Sequence, residues 1–338
     1  MIDPPEMRGS RYRYTLLILI AVAFTAFLLS LAVGRYPIPV GTVFSTLLLG
    51  GGATTGIRTV LFRIRLPRIA AAMLVGAALS TSGATFQGLF KNPLVSSYIL
   101  GVSSGAGLGA ATAILLGGGP AVVQASAFAV GILAVAMTYG FSRAYRGTST
   151  LTMVLSGIIV SSFFSALISL MKYLADPRDK LPAIVFWLMG SLAAVSRKDA
   201  LLAAPPILLG ILGLLVIRWR INVLSMGEEE AKSLGVDLKR VVGIIVVCST
   251  VATASAVSIS GVIGWIGLVM PHIGRMLVGP DYRKLIPASA LIGASYLLVM
   301  DDLARTLTMG EIPLGILTAL VGTPFFAYLL WRRKVGWT

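Results

Sequence analysis

Apolar residues gather along this chain into blocks of about 20, set apart by short polar connections. An α-helix rises about 1.5 Å per residue, so blocks of that length match a hydrocarbon layer roughly 30 Å thick. They predict about ten crossings, at 14–33, 66–89, 94–116, 120–142, 150–172, 199–219, 240–260, 262–278, 285–306 and 313–332. Only Met171 to Lys198 and Arg218 to Arg240 are long connections, and neither is expected to hold a soluble domain. The expected fold is therefore all-α and polytopic, one transmembrane domain over residues 1–338, with both termini on one side.

Two blocks carry local signals of their own. The eighth holds Pro271 among glycines ahead of His272, which predicts a short or broken helix whose freed backbone groups are satisfied by its neighbours. On the third, Gly101, Gly105 and Gly109 recur every four residues, the spacing that lets two helix backbones approach closely in lipid.

Composition agrees with lipid as the solvent: 57% of the 338 residues are hydrophobic and only 12% charged. The net charge of +15 does not point to nucleic acid, because the basic residues are scattered between apolar blocks and form no continuous stripe with interleaved aromatics. Topology and anionic headgroups account for them instead. Placing both termini in the cytoplasm puts a modest majority of the basic residues inside, including Arg8, Arg11, Arg13, Arg146, Arg333 and Lys334. The group Arg58, Arg63, Arg65 and Arg68 falls outside and asks for a reason. The apolar run Tyr14 to Val33 is longer than the core of a signal peptide and is expected to stay as an uncleaved first span.

Several chemistries are excluded. No glycine-rich loop followed by Lys and Ser or Thr is present, so any ATP and Mg must be bound by another chain, and no cofactor is expected in this one. His272 is the sole histidine and Cys248 the sole cysteine, which removes multi-histidine metal sites, zinc clusters and an intrachain disulfide. Ion-coupled carriers usually place carboxylates near mid-membrane. Asp301 and Asp302 lie towards one end of their span beside Arg305, where helix-end solvation or local ion pairing explains them better than a coupling ion. No catalytic residue is expected.

Three segments carry a family resemblance. They are RLPRIAAAMLVGAALSTSGATFQGLFKNPLVSSYILGVSSGAGLG from Arg65, GWIGLVMPHIGRMLVG from Gly264 with the LIPASALIGASYLLVMDDLARTL that follows, and EIPLGILTALVGTPFFAYLL from Glu311. In order and spacing they resemble the FecCD family of ABC importer permeases, which carry iron siderophores, haem and cobalamin. The resemblance implies a type II ABC importer permease fold in the cytoplasmic (inner) membrane. It also implies a homodimer around one pathway, two ATPase subunits inside and one substrate-binding protein outside. An oxyanion importer of molybdate type is the alternative within the fold; an ion-gradient carrier and a membrane enzyme are the alternatives outside it.

Residue roles follow partly from the residues and partly from the resemblance. In GEEEAKSLG, Glu228 and Lys232 stand at i and i+4, Ala231 and Leu234 share a neighbouring face, and Gly235 suits a left-handed helix end. The resemblance makes this segment the ATPase-coupling helix, through Gly227, Glu228, Ala231, Leu234 and Gly235. It makes Arg65, Arg68 and Arg305 the docking points for glutamates of a binding protein, with headgroup anchoring as the plainer alternative. It lines the pathway with Ser161, Ser162, Ser165 and Ser169 and with the stretch from Gly315 to Gly322, although helix packing explains the serines equally. Asn92 and Pro93, with Pro271, His272 and Arg275, are expected to be structural, the last three holding the broken helix against the coupling region.

Overall fold

The computed structural model describes residues 5–48, 54–144 and 150–332, and within these it is helical with connecting turns. Arg146, Arg333 and Lys334 lie outside the described residues, as does the side chain of Arg8. In chain order the helices are α1 (Pro5–Ala32), α2 (Val40–Leu48), α3 (Thr55–Thr59), α4 (Leu66–Leu89), α5 (Val102–Leu115), α6 (Pro120–Ala144) and α7 (Thr150–Leu174). They continue as α8 (Lys180–Met189), α9 (Arg197–Met226), α10 (Glu228–Ser233), α11 (Leu238–Ser260), α12 (Ile266–Val278), α13 (Tyr282–Thr306) and α14 (Leu314–Arg332). A π-helical turn, Val60–Arg65, joins α3 to α4 without a break.

Seven of these stretches are long and apolar enough to cross a membrane, and α5, α8, α12 and α14 add shorter apolar helices. The polytopic all-α expectation holds, and the count of ten is approximate. The third expected span is shortened, because 92–101 is turn and only Val102–Leu115 is helical. The eighth is broken as expected, with non-helical backbone before Ile266. The connection from Met171 to Lys198 holds the apolar helix α8, which at ten residues is too short to read as a span.

At the centre stands α4, with nearly every side chain from Pro67 to Leu89 buried, enclosed by α9, α11, α12 and α13. Its sequence makes that position available, since Ala, Gly, Ser and Thr leave room for neighbouring backbones. A Cβ at Gly76 would overlap the backbone of Gly293 on α13, and one at Gly83 would overlap the backbone of Gly267 on α12. The predicted glycine pattern acts the same way on α5: Gly105 and Gly109 press against α6 at Val130 and Ser126. Gly101 differs, taking φ +85 to open α5.

Three helix ends meet in one junction. The Ser191 amide donates to the Ser260 carbonyl at 2.8 Å, and the Leu314 amide donates to the Gly190 carbonyl at 2.8 Å. The C-terminal ends of α8 and α11 are thereby tied to the start of α14. Non-helical backbone inside an apolar bundle is tolerated when its polar groups are paired in this way.

Candidate functional site

Arginines lace the end of the bundle where α1, α4 and α13 come together. Arg68 donates through Nε to both oxygens of Asp301 at 3.0 and 2.8 Å, and through Nη1 and Nη2 to the two oxygens of Glu311 at 2.9 and 2.8 Å. One planar guanidinium thus clamps α13 and the segment leading into α14. Arg305 pairs with Asp302 and donates to the Ser30 carbonyl at 2.8 Å, while the Ser30 hydroxyl donates to Asp302 at 2.7 Å. Arg65 donates to the carbonyls of Leu31 and Ala32, which α1 leaves open at its end, and to that of Tyr36 in the turn that follows. Burial pushes the Glu311 carboxyl up, but the hydrogen bonds and charge of Arg68 outweigh it and hold the group below the usual glutamate range.

The structure places Arg65, Arg68 and Arg305, the docking residues that the resemblance implies, within this buried network. They are only 3%, 8% and 7% exposed, and their donors are engaged within the chain. Arg58 on α3 and Arg63 on the π-helical turn are exposed. The local ion pairing expected for Asp302 is present with Arg305, whereas Asp301 is fully buried and pairs with Arg68, 233 positions away. Glu311 was not singled out from sequence. The available signal was that a charged residue at the edge of an apolar span needs a partner.

The candidate pathway residues divide. Ser162, Ser165 and Ser169 are exposed along one side of α7, and Ser161 is half-buried against Gly101. The Ser169 hydroxyl bonds back to the Ser165 carbonyl at 3.1 Å, which leaves the stripe weakly polar. Gly315 and Gly322 both stand where another group comes close. A Cβ at Gly315 would press on the Met189 carbonyl in the three-way junction, and one at Gly322 would meet the ring of Trp265. Close packing explains the glycine at each position. Trp265, at φ +69, holds a left-handed conformation that bulky residues rarely adopt, braced by an edge-on contact with Phe326.

At the opposite end of the bundle α10 sits between α9 and α11. Ala231 is buried, and its carbonyl accepts from the Val236 amide at 3.0 Å while the Gly235 amide donates to Lys232 at 3.0 Å. Gly235, at φ +72, completes a Schellman closure in the expected left-handed state. Gly227 opens the helix in extended backbone, and the side chain of Glu228 lies outside the described residues. Leu234 does not share the buried face of Ala231: it is 58% exposed, as is Met226 at 67% just ahead of the helix.

Polar bonds join this region to the broken helix. Arg275 reaches the Tyr282 hydroxyl at 3.5 Å, the Tyr282 amide donates to the Asn222 side chain at 2.7 Å, and Asn222 lies one turn before the end of α9. Burial of the Asp281 carboxyl is outweighed by hydrogen bonds from Asn222 and Arg283, which keep it below the ordinary range. Pro271 and His272 are buried within α12, and the His272 ring meets Phe326 edge-on. Asn92 accepts from the Leu94 amide at 2.9 Å and sets the turn that Pro93 continues. Gln87, not foreseen from sequence, donates to the carbonyls of Val95 and Leu268 at 3.1 and 3.2 Å and fastens that turn to α12.

The family model of the FecCD transport family matches residues 18–332. The chain belongs to the FecCD transport family. It is 42% identical over 312 residues to the molybdate import system permease protein MolB of Haemophilus influenzae, covering 91% of this chain and 92% of that protein. It is 41% identical over 306 residues to the cobalamin import system permease protein BtuC of Halobacterium salinarum, covering 89% and 81%. A probable iron chelatin transport system permease of Helicobacter pylori is 45% identical over 279 residues, covering 81% and 83%. Among solved structures, an inward-facing metal-chelate type ABC transporter superimposes with a TM-score of 0.86 at 40% identity, covering 94% of this chain and 98% of that one. This FecCD chain is a transport subunit, a multi-pass membrane permease of the ABC importer type.

Proposed function

We propose that this chain forms the pathway of an ATP-driven importer for a metal chelate or cobalamin. It works as a homodimer with two ATPase subunits on the cytoplasmic side and one binding protein outside. ATP and Mg belong to the ATPase, and both termini lie in the cytoplasm. The observation that carries this reading is α10, a short helix closed by Gly235, seated by Ala231 and flanked by the exposed apolar side chains of Met226 and Leu234. A helix closed by its own caps and packed against α9 and α11 transmits a push, and exposed apolar side chains at its ends give an ATPase something to hold.

The polar stripe of Ser162, Ser165 and Ser169 supports α7 as a wall between two copies, because hydroxyls on the surface of an apolar helix fit a weakly adhesive path that releases its cargo. Exposed Arg63, beside Arg65, Arg68 and Arg305, adds a cation for acidic residues of a binding protein at this end of the bundle. Molybdate-type oxyanion transport is kept as a second reading because of the 42% identity to MolB over most of both chains.

Reconstitution tests both readings. Vesicles holding the permease, its ATPase and its binding protein should accumulate one of cobalamin, a ferric siderophore, haem or molybdate, and only with ATP. Leu234→Asp should weaken ATPase attachment by roughly tenfold or more, as loss of an interface anchor does. Its thermal stability should stay that of wild type, since Leu234 is exposed. Uptake driven by an ion gradient with no ATPase present would overturn the proposal.

A further inference from the structure

A groove of about 330 Å³ runs between α6 and α11, with almost purely apolar walls that include Ile132, Ala136 and Tyr139 on one side and Gly243, Val247 and Val251 on the other. At Gly243 no heavy atom lies within 4 Å of the place a Cβ would take, so the groove is open there. One end is cationic. Arg143 stands one helical turn beyond Tyr139 on α6, and Lys239 one turn before Gly243 on α11, each on the same face of its helix as the groove residue. Both cations are exposed, and neither pairs with an acid among the described residues. The nearest acid in sequence, Asp237, is occupied by Arg240, whose amide and side chain it accepts from at 3.2 and 3.0 Å. The half-buried Tyr139 adds a hydroxyl at the same end.

We propose that this groove binds an anionic phospholipid, its acyl chain along the apolar walls and its phosphate between Arg143 and Lys239. An apolar channel closed by two unpaired cations at one end has the charge and shape of such a lipid, whereas a zwitterionic lipid would leave the cations uncompensated. Assignment to the cytoplasmic leaflet rests on the orientation proposed above; binding does not. Lys239 lies in the first turn of α11, four residues after Gly235, so a bound lipid braces the helix that leaves the coupling segment.

The test uses the purified full chain in detergent, titrated with phosphatidylglycerol or phosphatidylcholine of identical acyl chains and read by native mass spectrometry. The first phosphatidylglycerol should bind about tenfold more tightly than the first phosphatidylcholine, and R143Q/K239Q together should abolish that preference. Phosphatidylglycerol carrying a photoreactive acyl chain should label Ala136, Gly243 or Val247, and Gly243→Phe should remove the label from these positions. Equal binding of the two lipids, a preference that survives R143Q/K239Q, or labelling that misses α6 and α11 would each overturn the site. A partner helix or second copy in the groove would appear as that last outcome. No ATPase or cargo takes part, so failure here leaves the transport reading intact, and failed uptake leaves the lipid site intact.

Discussion

Arg68→Met should destabilise the folded chain by about 3–5 kcal/mol, the usual cost of removing one partner from a buried ion pair. Asp301 is fully buried and takes its charge compensation from the Arg68 guanidinium at 2.8 Å, so its carboxylate would be stranded inside the bundle. Glu311 is partly exposed and would turn to water. The paired change R68M/D301L should recover most of the loss, because an apolar pair of similar volume avoids desolvating two charges. Equilibrium unfolding in detergent measures both, and a single variant within about 1 kcal/mol of wild type would rule out the clamp.

The other carboxylate on Arg68, Glu311, sets a pH signature. Glu311 is held below its unfolded value, so its contribution is present above the ordinary glutamate pKa of about 4.3 and lost as pH falls through the lower folded value. Stability measured against pH should fall on that acid limb in wild type, and the limb should be shallower in Arg68→Met.

Gly83→Leu should be the most damaging change among the small residues of α4. Its Cβ alone would fall on the carbonyl and Cα of Gly267, which are backbone atoms and cannot rotate aside. Separating α4 from α12 also pulls Gln87 away from the Leu268 carbonyl, 3.2 Å distant, and leaves buried polar groups unpaired. Overpacking of this kind costs about 1–3 kcal/mol or more, and the yield of monodisperse protein should drop with it. Gly140→Leu on α6 is the control, since nothing lies within 4 Å of its Cβ position, and it should shift stability by no more than about 0.5 kcal/mol. Equal melting temperatures for the two variants would contradict the close approach of α4 and α12.

What was legible in the amino-acid sequence was whatever depends on neighbours along the chain. Hydropathy blocks located the long helices, Pro271 with its glycines located the broken one, and Gly105 and Gly109 announced a close helix contact. The segment from Gly227 to Gly235 announced its own helix and its left-handed end, because capping is settled within a turn. These signals are local, and local physics decides them.

Tertiary structure alone decided where the charges went and which glycines face another backbone. Arg68 meets Asp301 and Glu311 across 233 and 243 positions, a pairing that no spacing along one helix encodes. Along the chain alone these arginines stand without partners, and only the bundle encloses them. Helix α8 was hidden for a related reason: ten apolar residues cannot cross a bilayer alone and are stable only because their end is tied to α11 and α14. In lipid a buried charge or an open helix end persists only when distant segments bring its partner, so such groups acquire their roles from the assembled bundle.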